Sequence, residues 1–295
     1  MGARLVSIIN MKGGVGKSTT AVTLAETLAV HHRRRVLLID LDPQTNASIM
    51  VGGPERWNAA RKADRTLDAF FDAYATGEKP APLKSLVDKQ VTDLKDNKGK
   101  VDVDLIAAAP ELRYVERDII EKFVKQQLHL DAIQKRICQW FSQGLKTMSD
   151  SYDEILIDCP PGISLFAEAA LISSDAILAP SIPDYVSRLG LIAFRRRAMT
   201  MVRDRRGGAP TAMFVLATKY DETFSLHRSE AALLKENLGA DMFDLKIPQT
   251  VDIARAAEWS DVKRTFEQKY AAAAPTIQAL GEEFLAKTQK LAMAA

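Results

Sequence analysis

The stretch Ile9-Asn10-Met11-Lys12-Gly13-Gly14-Val15-Gly16-Lys17-Ser18-Thr19-Thr20 decides how this chain is read. An apolar run, Leu5 to Ile9, leads into it, and a helical pattern of Val22, Leu24, Ala25, Leu28 and Ala29 leads out. Strand, glycine-rich turn and helix in that order are the context of a phosphate-binding loop. Gly13, Gly14 and Gly16 carry no Cβ, so the backbone N–H groups can turn inward and approach phosphate oxygens closely. A helix opening near Lys17 adds the positive end of its dipole. Lys17 supplies a mobile cation for β- and γ-phosphates, and Ser18 a hydroxyl for Mg2+. Val15 and Thr19 belong to the same candidate set.

Two more apolar runs end in carboxylates. Arg35-Val36-Leu37-Leu38-Ile39-Asp40 reads as a buried strand followed by the loop Leu41-Asp42-Pro43-Gln44. Tyr152 to Asp158 repeats the pattern, and Cys159-Pro160-Pro161-Gly162 then forces a loop. Alternating strands and helices predict an α/β fold, a doubly wound and mostly parallel sheet flanked by helices. Ligands bind such sheets at the carboxyl ends of the strands, which brings Asp40, Asp42 and Asp158 beside the phosphate loop. Asp158 stands where a carboxylate reaches Mg2+ through a water.

The loop departs from the ordinary G-x-x-x-x-G-K-[ST] pattern. Met11 occupies the first glycine position, and a second lysine, Lys12, follows. K-G-G-V-G-K-S resembles the deviant Walker A box of the ParA/MinD family of dimeric ATPases, and the chain is similar to its ParA/Soj-type partition members. The resemblance is specific in three boxes, 9–20, 36–46 and 152–162. It implies that Lys12 crosses a dimer interface to the partner's nucleotide. It also implies that Asp40 joins Ser18 and Asp158 around Mg2+, that Asp42 orients the attacking water, and that the 158–162 loop responds to nucleotide state. Lys12, Lys17 and Asp42 would then be catalytic, and ATP and Mg2+ the cofactors. Thr218 and Lys219 on one side, and Pro248 and Gln249 on the other, match the family's adenine-binding positions.

Elsewhere the pattern is coarser. Residues 52–100 read as a loop-rich insertion, with Gly52-Gly53-Pro54 breaking the chain and a short helix at 66–71. Strands are expected at 101–106, 176–180, 212–217 and 243–248. Two helices are expected in 111–148, divided near His129–Asp131, with Ile119, Ile120, Phe123, Val124, Leu128, Leu130, Ile133, Ile137 and Trp140 as core. A closing helix spans 272–291, with Ile277, Leu280, Phe284, Leu285 and Leu291 on one side. Its small side chains suit packing on the sheet better than a membrane surface.

The helix after residue 184 carries Arg188, Arg195, Arg196, Arg197, Arg203, Arg205 and Arg206, with only Asp204 opposing in sequence. Residues three and four apart share a helix face, so this is a candidate DNA footprint, the alternative being a solvated charged face. Partition proteins commonly read I-P-R-N-x-R where this chain has Ile247-Pro248-Gln249-Thr250-Val251-Asp252, so two basic positions are missing, and Arg255, Lys263 and Arg264 lie close enough to compensate. No sequence-reading motif accompanies the arginines, so contact would be to the DNA backbone.

At 295 residues, 47% hydrophobic and 26% charged, the chain suits a single ParA-like domain over 1–295. The net charge of +2 means that any nucleic-acid affinity rests on local clustering. Cys138 and Cys159 make neither a disulfide framework nor zinc spacing. The expectation is a cytoplasmic, nucleoid-associated ATPase that forms a homodimer with ATP, binds DNA without sequence preference and positions cargo. A stimulating partner protein, ParB-like or a cargo adaptor, is implied by the resemblance, and no membrane is expected. The alternatives are a MinD-like membrane-associated regulator and a small-molecule phosphotransferase on the same fold.

Overall fold

Short apolar runs closed by turn residues become strands because both of their faces can be covered. The computed structural model describes residues 2–76, 81–96, 99–206 and 212–292, without the side chains of Arg206 and residues 290–292. The order is β1 (Arg4–Ile8), α1 (Lys17–His32), β2 (Val36–Asp40), α2 (Asn46–Lys62), α3 (Leu67–Thr76) and β3 (Val103–Ile106). Next come α4 (Leu112–Lys125), α5 (Leu130–Lys146), β4 (Glu154–Asp158), α6 (Leu165–Ser173), β5 (Ala176–Ser181) and α7 (Tyr185–Arg206). The chain closes with β6 (Ala212–Tyr220), α8 (Ser225–Leu238), β7 (Met242–Pro248), α9 (Val251–Ala256), α10 (Phe266–Tyr270) and α11 (Ala274–Ala292).

The seven strands form one sheet in the order β3-β2-β4-β1-β5-β6-β7. Every pairing is parallel. Each residue of β2, β4 and β5 is buried, as in a parallel sheet covered on both sides. Alternation divides the core. Leu37, Ile39, Ile155 and Ile157 pack with Phe71, Ile119, Ile137, Phe141 and Phe166. Val6, Ile8, Leu38 and Leu156 pack with Leu24 and Leu28 of α1 and with Ile277, Leu280 and Phe284 of α11. The closing helix therefore spends its apolar side on the protein core, and Leu291 lies outside the described side chains. Among the described residues no helix is long and apolar enough to cross a membrane.

Two expectations need correction. Gly52-Gly53-Pro54 does not end a helix but kinks α2, where Gly53 has φ 79° and ψ 159°. A Cβ there would come within 2.5 Å of the Trp259 ring, so only glycine lets that ring pack so closely. Pro54 then opens the second helical piece, where its missing N–H costs nothing. Helix α2 thus runs through the break to Lys62, and α3 carries the short helix expected at 66–71 on to Thr76. Val124 and Leu130, expected in the core, are 54% and 58% exposed. They sit in the last turn of α4 and at the first residue of α5.

A buried ionic cluster joins segment 92–93 and α10 to α1. The Lys269 ammonium donates to Glu26 Oε1 at 2.7 Å and Asp93 Oδ1 at 2.8 Å. Tyr270 and Thr92 also donate to Glu26, and Arg264 pairs with Asp93. Each buried charge has an opposite partner, which is the condition for tolerating it.

Glu154 at the foot of β4 is less well served. It is fully buried, neither carboxylate oxygen has a hydrogen-bond partner, and its nearest cation, Arg4, lies 3.6 Å away. Burial pushes its pKa up to about 7, with Arg4 and Arg34 opposing. The folded state thus retains a proton that the unfolded chain releases, so this group's contribution to stability is lost as pH rises from about 4.5 to about 7. Glu154→Gln should remove that loss. Urea unfolding should show the variant gaining on the wild type by up to about 3 kcal/mol between pH 4.5 and pH 8; a pH-independent difference would mean that Glu154 does not titrate in this window.

Candidate functional site

The phosphate loop connects the end of β1 to α1. Gly14 and Gly16 adopt φ 73° and φ 86°, a left-handed conformation that favours glycine. A Cβ on Gly13, Gly14 or Gly16 would meet no atom within 4 Å. All three line a cavity of about 260 Å3, shared with Lys17, Ser18, Thr19, Asp42, Lys219 and Pro161. No side chain caps the N-terminus of α1, and its first turn holds no acid. An anion in the cavity would meet free amides and the positive helix end. Lys17 is only 6% exposed, and its ammonium donates to the Lys12 carbonyl at 3.2 Å. Burial lowers its pKa, and Asp158 and Asp42 work in the opposite direction.

The carboxylates meet because the strands are in register. Asp40 pairs across the sheet with Asp158, and Asp158 with Ile8. Both aspartates are fully buried. Asp40 Oδ1 accepts from the Asp42 N–H at 3.0 Å, and Oδ2 accepts from the Ser48 N–H at 2.8 Å and hydroxyl at 2.7 Å. Ser48 Oγ in turn accepts from the Ala108 N–H at 3.1 Å, and Asp42 Oδ1 accepts from the Gln44 N–H at 2.9 Å. Asp40 therefore shapes the loop that carries Asp42, a task absent from the sequence reading. Burial pushes its pKa up to about 6, against the pull of Ser48. Neither oxygen of Asp158 has a hydrogen-bond partner. Burial, then the neighbouring Asp40, holds its pKa well above the carboxylate range, with Ser18 and Lys17 opposing.

An orphaned buried carboxylate beside a serine hydroxyl fits a hard cation. The described residues contain no group of three His, Cys, Asp or Glu that could hold a metal unaided. Mg2+ is commonly held by one or two protein groups together with substrate phosphates. Cys159 is fully buried, and burial raises its thiol far above the ordinary range, so it is a core thiol.

A second cavity of about 260 Å3 adjoins the first. Thr218, Lys219, Pro248 and Gln249, the four assigned to a site from the sequence, line it together with Ile247, Ile253, Ala254 and Ile277, which were not so assigned. These apolar residues come from β7, α9 and α11 and share no sequence pattern. Thr218 Oγ1 donates to the Val15 carbonyl at 2.8 Å, tying β6 to the phosphate loop.

Lys12 points out of the loop rather than into it. Its side chain is 43% exposed, and its ammonium donates to Asp184 Oδ2 at 3.0 Å and Ser187 Oγ at 2.8 Å. Asp184 accepts from the Ser187 N–H and hydroxyl as well, so it organises the start of α7 while holding Lys12.

The arginines of α7 are less free than their spacing suggested. Acids from other elements oppose them: Arg188 pairs with Glu230 at 2.5 Å, Arg205 with Asp131 at 2.9 Å, and Arg195 with Asp241. Arg203 meets its neighbour Asp204 at 3.3 Å. The Arg206 side chain is outside the described residues. Among the described residues, Arg196 and Arg197 are exposed on α7 without an ion pair, as is Arg255 on α9.

Fold and site together define a P-loop NTPase. Over residues 3–206 the chain matches the AAA domain family model AAA_31. It is similar to the chromosome partitioning protein ParA of Caulobacter vibrioides, 29% identical over 269 residues, 91% of this chain and 89% of that protein. Among solved structures it resembles the ATP complex of a Cyanothece McdA variant, with a TM-score of 0.70 and 17% identity over 96% of both chains. It also resembles the cobyrinic acid a,c-diamide synthase of Mycobacterium smegmatis bound to ADP and magnesium, with a TM-score of 0.65 and 18% identity, covering 97% of this chain and 96% of that one. At these identities the two structures show likeness of fold alone. The chain belongs to the AAA domain family, as a P-loop ATPase of the ParA/MinD type.

Ser48 was not legible as a site residue, since a lone serine on a helix carries no motif. Ser48→Ala would strip Asp40 of a buried donor. It should lower stability by about 1–3 kcal/mol, measured by chemical denaturation, and weaken ATP hydrolysis more than ATP binding. Wild-type stability in the variant would show that the Asp40–Ser48 contact is dispensable.

Proposed function

We propose that this protein is an ATP-dependent dimerising ATPase that binds DNA without sequence preference and positions or segregates cargo. The observation that carries the reading is the contrast between the two lysines of one loop. Lys17 is buried under the phosphate cradle, whereas Lys12 reaches outward to the start of α7 and is 43% exposed. To cross over, Lys12 must leave Asp184 and Ser187. The exchange is feasible because the pair is part-exposed and therefore weak, while a phosphate offers a charge-assisted contact.

Within each site Lys17, the loop amides and the α1 N-terminus would bind the β- and γ-phosphates. Ser18 and Asp158 are the residues that would hold Mg2+, which supplies charge neutralisation on those phosphates. Asp42, held by the Asp40 and Gln44 contacts, lies in the phosphate cavity where it can orient a water. Asp40 supports this arrangement from behind. The apolar second cavity suits the adenine ring. Hydrolysis would be slow until a partner protein stimulates it, and release of phosphate would let the subunits part.

For DNA, the candidate arginines that are exposed and without an ion pair among the described residues are Arg196, Arg197 and Arg255. One subunit offers few phosphate contacts, and pairing two subunits multiplies their contributions to the binding constant. The burial of the α11 apolar face favours this reading over a membrane-bound regulator. The fold shared with an amide-forming synthase keeps a small-molecule reaction as the second reading, which substrate-dependent release of ADP would favour.

Light scattering should find Asp42→Ala protein as a dimer with ATP and Mg2+, as a monomer without nucleotide, and almost devoid of ATPase activity. Lys12→Ala should bind ATP and stay monomeric. A monomer in every condition would refute the dimer. Arg196→Glu with Arg197→Glu should abolish DNA retention and leave basal ATPase unchanged. In the wild type, the four Arg196 and Arg197 side chains of a dimer predict a log–log salt slope of roughly −4. DNA binding that survives the charge reversal would shift the footprint elsewhere.

A further inference from the structure

The geometry points to Lys219 as a positioning residue that holds the α-phosphate end of the bound nucleotide, rather than its adenine ring. This rests on reading the two adjoining cavities as a nucleoside triphosphate site. Three residues line both cavities: Gly16, Thr19 and Lys219. Gly16 and Thr19 are neutral parts of the phosphate loop and α1. Lys219 is the one charged side chain in the base-side lining, which is otherwise apolar, hydroxyl or amide. An uncharged ring gives an ammonium little reason to be there, whereas the phosphates next door give a strong one. The junction of the cavities is where a nucleotide passes from base and ribose to phosphate.

Two other observations agree. Among the described residues, Lys219 has no ion pair and its ammonium makes no hydrogen bond, unlike Lys12 and Lys17, so its charge is uncommitted. Its backbone lies at φ 50°, a left-handed conformation that an unbranched non-glycine residue adopts at a cost. The preceding Thr218 is clamped to the phosphate loop through the Val15 carbonyl at 2.8 Å. The clamp and the left-handed backbone together set where the lysine stem leaves β6, in the lining it shares with Gly16. A cation at the α-phosphate stays in contact whether or not the γ-phosphate is present. It should therefore favour ATP and ADP alike and contribute uniform binding rather than transition-state stabilisation.

The test compares Lys219→Met, which keeps the stem and loses the charge, with Lys219→Arg, which keeps both. Calorimetric titration should show ATP and ADP each bound about tenfold more weakly by the methionine variant and within about threefold of wild type by the arginine variant. Displacement of ADP by inorganic tripolyphosphate should weaken as well. KM for ATP should rise about tenfold with kcat unchanged. Unaltered affinities would overturn the proposal. So would a loss confined to ATP, which would place the contact at the γ-phosphate. Unchanged tripolyphosphate binding would assign the lysine to the base. Equal melting midpoints exclude misfolding, and a midpoint lowered in Lys219→Met but not in Lys219→Arg would be judged on a Lys219→Gln variant by the same titrations. Lys17→Ala serves as the control for the underlying reading: if wild type and Lys17→Ala bind ATP equally, the nucleotide site itself is misassigned, whatever Lys219 does.

Discussion

Two buried carboxylates at neighbouring strand ends are the constraint from which the site follows. Parallel register sets Asp40 beside Asp158, with both out of contact with solvent. Like charges in a low-dielectric setting cannot both stay ionised without compensation. The chain meets this unequally. Asp40 is surrounded by donors, the Asp42 amide and the amide and hydroxyl of Ser48. Asp158 is left without donors, facing Lys17 and Ser18. That asymmetry gives the two residues different surroundings: one is tied into a loop, and the other keeps both oxygens without a hydrogen-bond partner.

The same economy extends outward. Loop 41–45 is held by Asp40 from below and by its own Asp42–Gln44 contact, so Asp42 sits in the phosphate cavity without a long-range partner of its own. Thr218 ties β6 and the second cavity to the phosphate loop through a single buried bond. Strands on both sides of β1 therefore converge on one loop, which contacts β6 through Thr218 and α7 through Lys12. The Lys12–Asp184–Ser187 contact ties the start of α7 to the loop.

Legibility in the sequence followed the range of the interactions. The phosphate loop, the strand-ending aspartates and the closing helix were readable because each depends on residues close in sequence: glycines that permit left-handed backbone, apolar runs, helical periodicity. Ser48 as Asp40's partner was not, since its role exists only when α2 folds back over β2. Nor was the neutralisation of α7, because Glu230, Asp241 and Asp131 approach the arginines from α8, the turn before β7, and α5. Gly52-Gly53-Pro54 looked like a stop and is a kink, because Trp259, far along the chain, packs against the glycine backbone.

The sequence alone determined the parallel α/β sheet, the phosphate loop at its centre and the family, since local backbone chemistry and strand patterning need no knowledge of distant neighbours. Tertiary structure decided which charges are free. It turned Lys17 inward and Lys12 outward, engaged Asp40 and spared Asp158, and paired three arginines with acids from other elements while leaving Arg196 and Arg197 exposed. The reason is that a charge is spent or available according to what stands within a few ångströms of it, and those neighbours are assembled only when the sheet and its helices close.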